Sequence, residues 1–462
     1  MTPTADMPRD PAARETRFLT TSVGLVAGKV VSLGVGFLFW LLAASAADVH
    51  DVGLAAGAIS LMMLATQIAI GGAGSSFILN GAQYADRGRR LLDTAVTVVL
   101  LASTVAAVTA LAVIVLVLED LRPVASDPVF AVLFVLMTVF GTLGILLDHV
   151  SVALHRGEQV LIRNTVGGLL TAAPLLLSPA LGWRFAAAPL FGLWVLGGAA
   201  SCGLAAAQLS SQLDGYRFRP CLARPLVAVL LRTGLPNHAL TLVERAPNLL
   251  LPVVVTEVLS PELNAYWYIA WMMAWAVLVI PVSIGITLLA QVSGGSAGTL
   301  RADVLRAGRA GLLLGIPAAG LVALAAEPVL GLLGSDFRAE AATPLRVLLL
   351  ALPPVLVLQL YYSVCRSTRR LPEAVAAGVL LGVAALAATA AVASQHGLAG
   401  MAFAWVAVQS AAGVWAAVRL VQLVPRAAGP PAPPRSEPTA DGRVRDLRLP
   451  GQAMGTSAKM GS

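Results

Sequence analysis

Residues Gly234 to Val255 read GLPNHALTLVERAPNLLLPVVV. At 1.5 Å per residue, a helix of this length matches the roughly 30 Å hydrocarbon layer of a bilayer. The stretch nonetheless carries Pro236, Asn237, His238, Glu244, Arg245, Pro247, Asn248 and Pro252. A charge at the bilayer centre costs at least about 2.5 kcal/mol on insertion scales, so such residues face a bundle interior or a watery cavity. Proline also frees backbone carbonyls that neighbouring helices or water must satisfy. The segment therefore reads as a membrane helix that lines a polar pathway.

The rest of the chain fits that setting. Of 462 residues, 58% are hydrophobic and 12% charged, and the mean hydropathy is +0.82. These values define a polytopic, all-α membrane protein. Hydrophobic runs fall at 18–42, 53–80, 91–118, 129–153, 160–180, 186–209, 234–257, 264–291, 309–333, 344–364, 373–394 and 397–423, which predicts twelve spans. The first run is too long for the h-region of a signal peptide, despite the Ala44-Ser45-Ala46 that follows it.

The net charge of +7 is carried almost entirely by arginine, and its distribution indicates sidedness rather than a nucleic-acid partner. With loops assigned alternately, one side receives the N-terminal arm, Arg87, Arg89, Arg90, Arg156, Arg163, Arg217, Arg219, Arg224, Arg232, Arg301, Arg306, Arg309, Arg366, Arg369, Arg370, Arg419 and the tail. The other receives Arg122, Arg184, Arg338 and Arg346. The positive-inside rule then places both termini in the cytoplasm and leaves Lys29 and Arg245 within the membrane. The expected organisation is a cytoplasmic arm (1–17), an N-terminal six-helix lobe (18–209), a cytoplasmic linker (210–233), a C-terminal six-helix lobe (234–425) and a disordered tail (426–462) rich in Pro, Ala, Gly and Arg.

Lys29 lies in the first helix of the first half and Arg245 in the first helix of the second. Each is about 17 Å from its cytoplasmic end, near the midplane. Ser22, Leu25, Lys29, Ser32 and Gly36 share one helical face, as do His238, Thr241, Arg245, Asn248 and Pro252. Interrupted helices at corresponding places in two halves point to a transporter's substrate site. A structural reading, with Lys29 snorkelling and Arg245 paired to a carboxylate, stands beside the functional one. Midplane depth argues against snorkelling.

Four segments carry a resemblance to a known family. They are DVGLAAGAISLMMLATQIAIGGAGSSFILN from Asp51, RPLVAVLLRTGLPNHALTLVE from Arg224, AYWYIAWMMAWAVLVIPVSIGITLLAQVS from Ala265, and LLGSDFRAEAATPLRVLLLALPPVLVLQLYYSVCRSTRRLPEA from Leu332. In order and spacing over residues 15–425 the chain resembles the polysaccharide and lipid-linked oligosaccharide flippases of the multidrug/oligosaccharidyl-lipid/polysaccharide (MOP) exporter superfamily. The resemblance implies two six-helix lobes forming a V around a central cavity. It also implies alternating access that moves a polyprenyl pyrophosphate-linked oligosaccharide to the outer leaflet of the bacterial cytoplasmic membrane. Such transport serves cell-surface polysaccharide biosynthesis, including lipopolysaccharide and O-antigen export, beside a polymerase and glycosyltransferases. Lys29 and Arg245 stand where the family places cationic cavity residues, and Arg and Lys make strong charge-assisted hydrogen bonds to pyrophosphate.

Around these two cations, Ser22, Ser32, His238, Thr241 and Asn248 are the further expected substrate contacts. Glu244 does not face Arg245, and it reads as a partner for Lys29, a carrier of a coupling proton or a static ion pair. Trp267, Trp271 and Trp275 recur at helical spacing. Trp271 and Trp275 are candidates for sugar contact, against interfacial belting and ordinary packing. No cofactor is expected, and energy would come from a proton, a sodium ion or the membrane potential. The histidines and the three cysteines show no metal-ligand or disulfide spacing. GAQYADRGRR at Gly81 to Arg90 approaches a major facilitator signature but departs from its spacing, which favours a charged cytoplasmic loop. Multidrug export is the nearest rival. A membrane-embedded glycan polymerase or glycosyltransferase would need large outer loops with acidic or histidine groups, and the chain has neither these nor a P-loop.

Overall fold

The computed structural model describes residues 34–80, 88–154, 156–213, 215–294 and 300–424. Every regular element among them is a helix, apart from one bridge between Ala47 and Phe185. In order they are α1 (Gly34–Ala46), α2 (Val49–Ile70), α3 (Ala73–Asn80), α4 (Gly88–Val117), α5 (Arg122–Ser126), α6 (Pro128–Ala153), α7 (Gly157–Leu181) and α8 (Ala187–Gln212). These are followed by α9 (Arg224–Val258), α10 (Pro261–Gly294), α11 (Leu300–Gly331), α12 (Ser335–Leu349), α13 (Leu352–Ser367) and α14 (Leu371–Leu423).

Nine helices among the described residues are long and apolar enough to cross a membrane, and α12 with α13 makes a tenth crossing bent by 47°. The 53 residues of α14 would extend about 80 Å as one helix, far beyond a bilayer. It instead folds back at Gly397, whose φ of 57° and ψ of −154° lie outside the helical region. The proof is an ion pair between its two arms: Arg419 Nε lies 2.6 Å from Glu373 Oε1. α14 thus supplies the last two expected spans. α1 is the described end of the first, and the part that carries Ser22, Lys29 and Ser32 lies outside the described residues, as do most of GAQYADRGRR and the tail.

Buried positions repeat between α8 and the second arm of α14. Ala187, Leu190, Phe191, Cys202, Ala205 and Leu209 are buried in the former. Leu398, Met401, Ala402, Gly413, Ala416 and Leu420, at the same spacings, are buried in the latter. Gly167 and Thr171 in α7 correspond likewise to Gly378 and Gly382 in the first arm. The two halves are therefore built on one helical pattern and pack through small residues spaced four apart, which let backbones approach. A Cβ on Gly382 would come within 2.6 Å of the Pro247 ring, and one on Gly378 within 2.5 Å of Val243.

The halves meet where α2 runs antiparallel to α9 and beside α10. Near one end, Gly53 lies so close to Pro261 that a Cβ would fall 1.6 Å from its carbonyl oxygen, and Asn264 Nδ2 donates to Gly53 O at 2.9 Å. At that end His50 also meets Glu262 at 2.7 Å. Toward the arginine-rich end, Gly72 and Gly234 touch backbone to backbone, the Ser76 and Thr233 hydroxyls meet, and His238 Nε2 donates to Gln67 O at 2.7 Å. Gly71 and Gly72 take positive φ values there, ending α2 before α3. The segment before α9 is strapped to α4: Tyr216 donates to Asp93 Oδ1 at 2.6 Å and Cys221 N to Thr97 Oγ1 at 3.0 Å. Burial first, then the Asp93 hydrogen bond, raises the Tyr216 phenol above its ordinary pKa.

Candidate functional site

α9 remains helical through Pro236, Pro247 and Pro252, and the first arm of α14 receives the Pro247 ring against Gly382. That packing sets Arg245 about midway between Arg232 and Val258, roughly 20 Å from each along the axis. Arg245 and Asn248 line a cavity of about 90 Å³ between α9, α10, α13 and α14. Arg245 is exposed, with part of its side chain on the wall of this cavity. Among the described residues it makes no hydrogen bond or ion pair.

Glu244, also on the cavity wall, is engaged from the other side: Arg366 Nη2 on α13 lies 2.8 Å from its Oε1. The pair belongs wholly to the second half, and Lys29, the other partner expected for Glu244, lies outside the described residues. Asn248 Nδ2 donates to Glu244 O at 3.3 Å, leaving its side-chain oxygen open. Thr241 bonds back to Asn237 O within its own helix. His238 is committed to Gln67 at the seam. The face that runs from His238 to Asn248 is thus divided between a seam contact and a cavity wall.

Trp275 lines the same cavity with Trp405, Tyr362, Gln359 and Gln409. Trp271 sits one layer back, stacked on Trp267 with ring centroids 6.1 Å apart and edge-on to Trp405 at 5.2 Å. Gln359, Gln409 and Tyr362 had no signal in the sequence, being single polar residues in apolar runs 100 or more positions from Arg245.

A second cavity, of about 260 Å³, occupies the matching place in the first half between α1, α6, α7 and α8. Asp148 and Arg163 lie on its wall. Arg163, expected on the cytoplasmic side at the start of the span 160–180, is 1% exposed within α7. It reaches Asp148 Oδ1 at 2.6 Å, Ser151 Oγ at 3.0 Å and Gln208 Oε1 at 2.9 Å. α7 turns Arg163 inward, where Asp148 compensates its charge; what the sequence did not show is its burial. Glu373, with Arg419 and Tyr361, is the corresponding node of the second half, with the signs reversed. No group of three His, Cys, Asp or Glu able to hold a metal comes together among the described residues.

Among the described residues the chain is all-helical, with paired halves and a charged cavity. In fold it is similar to solved transporters of the MOP superfamily. It is similar to the lipid II flippase MurJ in an inward closed conformation, with a TM-score of 0.68 and 12% identity over 87% of each chain. It is also similar to an inward-facing multidrug resistance MATE family transporter of the MOP superfamily, at 0.65 and 15% identity over 85% of this chain and 94% of that one. A third similar structure is a MOP superfamily transporter from Pyrococcus furiosus, described by a binding pocket of reverse polarity that suggests a different function. Its TM-score is 0.59 and its identity 14%, over 88% of this chain and 96% of that one. No family model and no curated protein matches the sequence.

Proposed function

We propose that this protein is a flippase that moves a polyprenyl pyrophosphate-linked oligosaccharide from the inner to the outer leaflet of the bacterial cytoplasmic membrane, for surface polysaccharide biosynthesis. The arginine-rich end faces the cytoplasm, the two halves are the N- and C-terminal lobes, and alternating access opens the space between them to either side. The observation that carries this reading is Arg245, a guanidinium at mid-span on a cavity wall that makes no hydrogen bond or ion pair among the described residues. A guanidinium whose donors are free in the membrane interior is costly, and a pyrophosphate would engage them through bidentate charge-assisted hydrogen bonds. Lys29 is proposed as its counterpart on the first lobe, with Ser22 and Ser32 beside it. Coupling to a proton, sodium ion or membrane potential completes the cycle.

Export of cationic drugs is the competing activity on this fold, and it calls for an available carboxylate inside the membrane. Asp148 and Glu244 are both held by arginines, which favours an anionic cargo. The test is leaflet exchange of a fluorescent polyprenyl pyrophosphate-linked sugar in proteoliposomes. Wild-type protein is expected to exchange it without altering the glycan. Arg245→Ala should slow exchange at least about tenfold, the worth of one charge-assisted contact, while Arg245→Lys retains part of it. Drug efflux without lipid exchange, or full activity of Arg245→Ala, would overturn the reading.

A further inference from the structure

Between the two halves the chain runs without regular structure from Gly215 to Ala223, and one side of this strap is pinned to α4. Asp93, 8% exposed, accepts from the Tyr216 hydroxyl and from Arg219 N. Thr97 Oγ1 accepts from Cys221 N. What the strap turns outward is Arg217, Phe218, Arg219 and Leu222, with Arg224 exposed where α9 begins. Neither Arg217 nor Arg219 makes a side-chain hydrogen bond or ion pair among the described residues. From Ser210 to Thr233 four arginines stand against one acid, Asp214, which lies outside those residues.

The depth of the strap narrows what can meet it. Asp93 is the last charge on α4 before an uncharged run from Thr94 to Leu118. A bilayer core needs about 20 such residues, so it begins within about five residues of Asp93. The strap, fixed at Asp93 and Thr97, therefore follows the border between headgroups and acyl chains. Irregular backbone is not found exposed in the hydrocarbon itself, which keeps the strap on the headgroup side. Phe218 and Leu222 are nonetheless 39 and 56% exposed, apolar surface suited to acyl chains rather than to water.

We propose that this strap binds the headgroup of an anionic phospholipid in the leaflet at the arginine-rich end. Arg217 and Arg219 engage its phosphate oxygens through charge-assisted hydrogen bonds, while Phe218 and Leu222 lie among the first carbons of its chains. A zwitterionic lipid offers the same phosphate with an ammonium that offsets it, so the arginines select the anionic headgroup. Because the strap joins the halves, a lipid held there braces the start of α9 against α4. The inference requires no particular cargo and stands apart from the flippase reading.

The experiment places the photoreactive residue p-benzoyl-phenylalanine at position 218 of the full chain, in nanodiscs of equimolar phosphatidylglycerol and phosphatidylcholine. Lipid adducts are counted by mass spectrometry after irradiation. Adducts to phosphatidylglycerol are expected to exceed those to phosphatidylcholine at least about fivefold, the attraction that one arginine near an anionic surface supplies. Arg217→Gln with Arg219→Gln should bring the ratio close to one while adducts to both lipids persist. Arg217→Lys with Arg219→Lys should keep part of the preference. Equal adducts with both arginines present, adducts to protein alone, or an unchanged ratio in the double glutamine variant would overturn the inference. So would a collapse of the ratio when glycerol phosphate is added at matched ionic strength, since a soluble phosphate would then be the occupant.

Discussion

At the scale of single residues, the intramembrane charges among the described residues include pairs such as Glu244 with Arg366 and Arg163 with Asp148, whereas Arg245 makes no hydrogen bond or ion pair among them. Glu244 and Arg366 have side chains only 13 and 19% exposed, so removing either partner strands a poorly hydrated charge. Glu244→Gln or Arg366→Gln alone should cost about 1–3 kcal/mol. The double variant should be less destabilised than the sum of the two, as followed by thermal unfolding in detergent; strict additivity would mean that the pair is not coupled. Arg245 and Glu244 were legible in the sequence because an apolar run exposes any charge within it. Arg163 and Arg366 were not, since each lies near the end of an apolar run, where an inward-facing arginine looks like a positive-inside loop. What identifies them is a partner 15 or 122 residues away, and hydropathy carries no record of such pairings.

At the scale of elements, hydropathy predicted the spans well, because apolar length is what the bilayer selects. The predicted spans 373–394 and 397–423 are the two arms that meet at Gly397. Hydropathy did not show the bend at Leu350 and Ala351, where the span expected at 344–364 divides into α12 and α13. At Gly397 the backbone adopts φ 57° and ψ −154°, a combination that is essentially restricted to glycine. Gly397→Ala should lower stability by about 1–3 kcal/mol, seen as a reduced unfolding temperature in detergent. Gly203→Ala, in open space within α8, should hold or raise that temperature, since alanine is the better helix former. If both variants melt alike, the fold-back does not depend on the glycine conformation.

At the scale of the molecule, alternating access requires the two halves to separate at one end while they remain joined at the other, and the α2 seam is the place where that can be tested. At the arginine-rich end the contact is Gly72 against Gly234, where a Cβ on Gly234 would lie 2.2 Å from Gly72 O and one on Gly72 2.4 Å from Gly234 O. Both obstacles are backbone, which cannot rotate aside as a side chain would, so any larger residue pushes the seam apart there. The opposite end is held separately by Gly53, Asn264 and Pro261 and by Glu257, whose Oε1 accepts from Leu121 N at 2.9 Å. Gly234→Ala should therefore bias the population toward the form open at the arginine-rich end. A ligand or mutation that shifts a two-state equilibrium must differ in its interaction with the two states, and a clash present only in the closed form does so. The measurement is maleimide labelling of a cysteine introduced at Gln67, in a background with Cys202, Cys221 and Cys365 replaced by serine. Labelling should rise at least about fivefold with Gly234→Ala, a bias of about 1 kcal/mol, while transport slows because the closed form is harder to regain. Unchanged labelling would show that the seam does not part at Gly72, and the pivot would then have to be sought at the Gly53 end.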